Sequence, residues 1–97
     1  MYVKIGTLEI RKPDITDVYR IGMGYYGFEF KGVAPEENGK RIVDALSAIK
    51  QEELLRCEAL TDKGTMSGYG KLEDLQIQVS DTVPIMYHFS AKVRLAH

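Results

Sequence analysis

Residues 85–95 read Ile-Met-Tyr-His-Phe-Ser-Ala-Lys-Val-Arg-Leu and have the clearest alternating pattern in the chain. One set of alternate positions is apolar: Ile85, Tyr87, Phe89, Ala91, Val93 and Leu95. The positions between them are mostly polar: Met86, His88, Ser90, Lys92 and Arg94. Successive side chains of a β-strand point to opposite faces, so the stretch predicts a long strand with one buried face. Pro84 has no backbone N–H to donate and belongs at the start of this strand or on a sheet edge.

Shorter alternating segments upstream predict further strands. These segments are 2–12, 18–21, 25–31, 54–60 and 75–79. In the first of them the alternation changes phase at Gly6-Thr7, where a bulge or a bend is expected, with Val3 and Leu8 on opposite faces. The second and third segments are close enough in the chain to form a hairpin.

The only convincing helix pattern lies near 39–50. Ile42, Ala45, Leu46 and Ile49 stand at the spacing that places side chains on one face of a helix. Asn38 precedes them and is the predicted N-cap, because its side-chain oxygen can accept a hydrogen bond from a backbone N–H of the first turn.

Together these segments predict one α+β domain over 1–97, mostly antiparallel sheet, in the order β-β-β-α-β-β-β. One helix cannot cover both faces of a sheet of about six strands. We therefore expect the sheet to curl into a small barrel or sandwich, or one of its faces to be covered by another chain.

Composition and charge argue against nucleic-acid binding, a membrane span and an internal disulfide. The 97 residues include 13 basic and 14 acidic ones, for a net charge of −1, and nucleic-acid binding is not expected because it usually needs a basic surface. No apolar run approaches the about 18 residues of a membrane span, and the first residues do not resemble a signal peptide. Cys57 is the only cysteine, so no internal disulfide forms, and a buried, inert thiol in a cytoplasmic protein is predicted.

No motif predicts catalysis, a cofactor or a small-molecule substrate. Residues 22–27 match G-x-G-x-x-G, but the alternating residues that follow predict a strand where nucleotide binding needs a helix. His88 has only Cys57 and His97 as further ligands of the kind that zinc prefers, and no His-x-x-His or Cys-x-x-Cys pair exists. The sequence therefore predicts a protein that is not an enzyme and holds no metal.

Two C-terminal segments resemble the end of small phage tail and baseplate proteins. Residues 68–75 read Gly-Tyr-Gly-Lys-Leu-Glu-Asp-Leu, and residues 87–93 read Tyr-His-Phe-Ser-Ala-Lys-Val. The order of elements over residues 40–95 is similar as well. The resemblance implies a structural subunit of a phage or prophage particle, in the host cytoplasm or the virion, which forms homo-oligomers or binds other particle subunits. It implies no catalytic residues.

Docking through sheet edges and exposed side chains is the function that these observations favour. Some of the candidate interaction residues lie on the polar face of the last strand. The others lie beside glycines, and one of them lies in an expected hairpin at 68–70. The candidates are Tyr25, Tyr69, Met86, His88, Lys92 and Arg94. We expect the charged residues of this face to have no partner within the chain.

Two alternatives remain open at this point. A short, nearly neutral chain without catalytic motifs is also typical of a phage-encoded module that antagonises a host protein. The third interpretation is a sheet that binds single-stranded RNA by stacking bases on Tyr26, Phe28 and Phe30, which share one face of their predicted strand.

Overall fold

The computed structural model describes residues 1–96, and its last strand bears out the alternation seen in the sequence. Phe89, Ala91, Val93 and Leu95 are all buried, with at most 3% of their surface exposed. His97 lies outside the described residues.

Seven strands and one helix make up residues 1–96. Their bounds are β1 Tyr2–Ile5, β2 Leu8–Arg11, β3 Ile15–Ile21, β4 Gly27–Pro35, α1 Asn38–Ser47, β5 Leu55–Thr61, β6 Gly64–Val79 and β7 Met86–Leu95. All neighbouring strands run antiparallel, in the sheet order β2-β1-β5-β6-β7-β4-β3. The α+β class, the dominance of antiparallel sheet, the single helix and the β3–β4 hairpin are thus confirmed.

The sheet is open, which corrects the expected barrel or sandwich. Strands β2 and β3 form its two edges, although β3 also packs against β1 and β5 across the core. Helix α1 contacts β4 and β7 and covers part of the same apolar face. We call this core-facing side the inner face of the sheet and the opposite side its outer face.

The predicted strand 2–12 is two strands, so the expected count of six was wrong. Gly6 has a φ of 62°, and with Thr7 it forms a two-residue turn between β1 and β2. The chain reverses there, and Val3 lies opposite Ile10 across the hairpin. Val3 and Leu8 are therefore both buried on the inner face, where an uninterrupted strand would have placed them on opposite sides.

The expected hairpin at 68–70 was also wrong, because these residues lie within the single 16-residue strand β6. A Cβ on Gly70 would approach the carbonyl oxygen of Arg94 to 2.8 Å, so glycine here permits close packing against β7. The irregularity of β6 occurs later, where its register with β7 shifts between Glu73 and Gln76.

The predicted apolar stripe of α1 is buried in part: Ile42 and Leu46 are fully inaccessible, whereas Ala45 and Ile49 are half-buried against the core. The helix ends at Ser47, earlier than expected, and the N-cap prediction was wrong. The N-cap is Glu37, and Asn38 is the first helical residue. The Asn38 side chain instead contacts Asp14 and accepts a hydrogen bond from Arg41 Nη2 at 2.9 Å.

Residues 22–26 connect two antiparallel strands, as the strand-like residues after them predict. Gly27 begins β4, and a Cβ at this position would lie 2.0 Å from the carbonyl oxygen of Val93. The prediction of a buried Cys57 is confirmed, since its side chain lies in the core and its Sγ contacts the Leu55 carbonyl oxygen at 3.3 Å. Burial raises the pKa of this thiol to about 11.

Candidate docking surface

The predicted interaction face is the outer face of β7, which lies in the middle of the sheet between β4 and β6. Lys92 is opposite Glu29 on one side and Glu73 on the other. His88 is likewise flanked by Val33 and Gln78. The sheet therefore brings this face of β7 together with side chains that are far away in the sequence.

Arg94 has partners within the chain, which corrects the expectation that it is unpaired. Its Nε donates to Glu73 Oε1 at 2.8 Å, and its guanidinium lies 4.1 Å from the centre of the Tyr25 ring. The Tyr25 hydroxyl donates to the same carboxylate oxygen at 2.8 Å. The hydrogen bonds from Tyr25 and then Arg94 hold the pKa of Glu73 below its usual value, whereas burial and the Glu73 hydrogen bond raise the pKa of Tyr25.

Lys92 is also paired, with its Nζ 3.5 Å from a carboxylate oxygen of Asp74. Two-thirds of the Asp74 side chain remains exposed, so the pair contributes little to stability. The effect of the pair is to neutralise charge: the carboxylates of Asp74 and Glu73 largely neutralise the positive charges at this end of β7. A partner docking there would have to replace existing contacts.

A shallow groove crosses the outer face nearer the other end of β7. Its volume is about 430 Å³, and Lys31, Gln76, His88 and Ser90 contribute to its lining. Met86 lies beyond it at the start of β7, half-buried and opposite Pro35. The lining of the groove also includes Val33, Ile77 and Phe89, so it is about equally polar and apolar, whereas the pockets that usually bind small molecules are mostly apolar.

The six predicted interaction residues fall into two groups. Tyr25, Tyr69, Lys92 and Arg94 lie toward the C-terminal end of β7, whereas Met86 and His88 lie at its start. Tyr69 is 59% exposed, with the Arg56 guanidinium 5.7 Å from its ring centre. The six residues do not form one continuous site.

Sequence reasoning missed a group of exposed aliphatic side chains at the tip of the β6–β7 hairpin. Ile77, Val79 and Val83 are 37%, 49% and 94% exposed. Ile77 is opposite Phe89, and Val79 is opposite Tyr87, so both lie on the inner face. The alternation of Leu75, Ile77 and Val79 was visible in the sequence, but it did not show that the core stops short of the tip.

The same hairpin has an unpaired edge. Strand β5 accompanies β6 only as far as Gly70, whereas β6 continues to Val79 with β7 alone. Among residues 1–96, no strand pairs with the other side of β6 beyond that point. Residues 76–79 are consequently all exposed. An unpaired strand edge with apolar side chains is a typical site for pairing with another chain.

The aromatic residues considered for RNA binding do not form a stacking surface. Phe28 and Phe30 are 0% exposed and pack within the core, while Tyr26 is 39% exposed. A base could stack on the two phenylalanine rings only if the core opened.

No metal-binding arrangement is present in the described part of the chain, where no three His, Cys, Asp or Glu side chains are grouped suitably. His97, which was considered as a ligand, lies outside those residues. Among residues 1–96, α1 is the one helix, and with 10 residues it is too short to cross a membrane.

Comparisons of the chain with known proteins found no relative: no protein-family model, no curated protein and no solved structure matches it.

Proposed function

We propose that this chain is a non-enzymatic assembly subunit of a phage or prophage particle, a tail or baseplate component. It acts by docking to further copies of itself or to other particle subunits, in the host cytoplasm or the virion. The observation that carries the proposal is the β6–β7 hairpin, which combines an unpaired edge with exposed Ile77, Val79 and Val83.

Burial of apolar surface is the main driving force of protein association, and backbone pairing adds direction to it. The hairpin tip supplies both in one place. The outer face of β7 supplies less, because Arg94 and Lys92 already have carboxylate partners in the chain. The tip therefore replaces the outer face of β7 as the main docking surface of the proposal.

The resemblance to tail and baseplate proteins is a second support. The two segments that carry it, 68–75 and 87–93, belong to β6 and β7, which pair with each other. The resemblance and the exposed apolar tip thus concern the same hairpin.

Light scattering on the purified chain, across a range of concentrations, tests the proposal. We expect a mass above that of one chain, or a complex once tail or baseplate subunits are added. Val83→Asp should weaken this association, because it places a charge on the most exposed apolar side chain of the hairpin. Leu54→Asp is the matched control, since Leu54 is 55% exposed but lies outside the hairpin.

A chain that stays monomeric and binds no tail, baseplate or capsid subunit would contradict the proposal. Specific inhibition of one host enzyme, without assembly, would favour the antagonist alternative instead.

A further inference from the structure

The backbone of the β6–β7 hairpin fixes which groups are available at its free edge. The Ser80 N–H donates to the Met86 carbonyl oxygen at 2.8 Å. Ser80 and Met86 therefore form a hydrogen-bonded pair of the two strands. Such pairs recur at every second residue of antiparallel strands, so Gln78, which is opposite His88, also directs its backbone groups toward β7. Ile77 and Val79 then direct their N–H and C=O groups away from β7, toward the unpaired side.

We propose that this edge pairs antiparallel with the same edge of a second copy of the chain, around a two-fold axis at Gln78. This inference rests on the proposed assembly function and names the partner and the register. Ile77 of each copy would lie opposite Val79 of the other, and the two residues would exchange backbone hydrogen bonds. Gln78 would face its own counterpart across the axis.

The side chains favour a second copy as the occupant. In this register, the inner face brings exposed Ile77 against exposed Val79 on both sides of the axis, so apolar surface meets apolar surface. On the outer face the amide side chains of the two Gln78 residues meet, and amides can both donate and accept hydrogen bonds. Residues 75–80 carry no charge, so no like charges oppose each other.

The other sheet edges have the features that prevent such pairing. Strand β2 has only four residues and carries the charged side chains of Glu9 and Arg11. Strand β3 has a register irregularity between Ile15 and Asp17 and carries Arg20 farther along. Short strands, charges and bulges are the usual protection of an edge, and the exposed part of β6 has none of the charges.

The register also keeps the two domains apart. Because the strands run in opposite directions, residues 64–70 of the two copies lie beyond opposite ends of the paired segment. The seam is formed by the projecting hairpins alone. Pairing therefore requires no change in either core.

Cysteine cross-linking tests the register. In a non-hydrogen-bonded antiparallel pair the two Cα atoms are about 4.5 Å apart, which is within the range of a disulfide. Gln78→Cys should consequently form an intermolecular disulfide under mild oxidation. Gln76→Cys is the matched control: it changes the same residue type on the same exposed face, but the proposed register places the two residues 76 about four residues, or about 13 Å, apart along the strands.

Rapid covalent dimer formation by Gln78→Cys, with little by Gln76→Cys or by the wild-type chain with its buried Cys57, would support the inference. Equal rates for the two variants, or no covalent dimer, would overturn it. If light scattering still showed association in that case, the assembly function would stand and only this register would be lost. A chain that never associates would overturn both.

Discussion

The substitution Val79→Pro separates pairing between chains from folding within one chain. Proline removes the backbone N–H of residue 79, which points to the free edge of β6 and takes no part in the pairing with β7. In the two-fold dimer each copy would lose one hydrogen bond, so the dimer would lose two. At about 0.5–1.5 kcal/mol for each bond, the loss is about 1–3 kcal/mol. The dissociation constant should rise by about 5- to 150-fold.

Sedimentation over a concentration series measures that constant, and thermal unfolding at low concentration shows whether the monomer is intact. Gln76→Pro is the contrasting variant, because its N–H points to β7 and the substitution should weaken the hairpin itself. We expect Val79→Pro to unfold near the wild-type temperature and Gln76→Pro to unfold at a lower one. If Val79→Pro dimerised as tightly as the wild type, the assignment of the free edge would be refuted.

Three further predictions concern the domain. Gly27→Ala should lower the unfolding temperature sharply, because its Cβ would lie 2.0 Å from the Val93 carbonyl oxygen. The Tyr25 hydrogen bond lowers the Glu73 pKa, so the stability from this contact is present above pH 4.5 and is lost as the pH falls through the lowered pKa. Tyr25→Phe should reduce this loss in acid melts. Cys57 should react with a thiol reagent only on unfolding, since burial raises its pKa to about 11; rapid reaction of the folded chain would contradict its burial.

Local patterns predicted the parts of the fold that alternate cleanly. Four inward residues of β7, from Phe89 to Leu95, and the helix residues Ile42 and Leu46 are buried as expected, whereas Tyr87 is half-buried. The Gly6-Thr7 turn was missed, because a phase change of one residue is produced equally by a bulge and by a two-residue hairpin. The available signal in the sequence was Gly6 itself, because glycine readily adopts the positive φ that such hairpins need.

The partners on the outer face could not be predicted, because they depend on strand register. Arg94 meets Glu73 and Lys92 meets Asp74, each about 20 residues away in the chain. These contacts form where the register of β6 with β7 is irregular, and no local pattern specifies that irregularity. The unpaired edge of β6 depends on where β5 begins, which again is known only from the sheet.

Amide hydrogen exchange at Ile77 and Val79, measured by NMR at increasing chain concentration, shows whether the free edge of β6 pairs with a second copy of the chain. We expect both amides to exchange rapidly in the dilute chain and to become protected as the concentration rises, because each N–H gains an acceptor in the second copy. The amide of Met23, an exposed loop residue outside the hairpin, serves as the internal reference and should stay rapid. Rapid exchange of Ile77 and Val79 at every concentration would contradict the account.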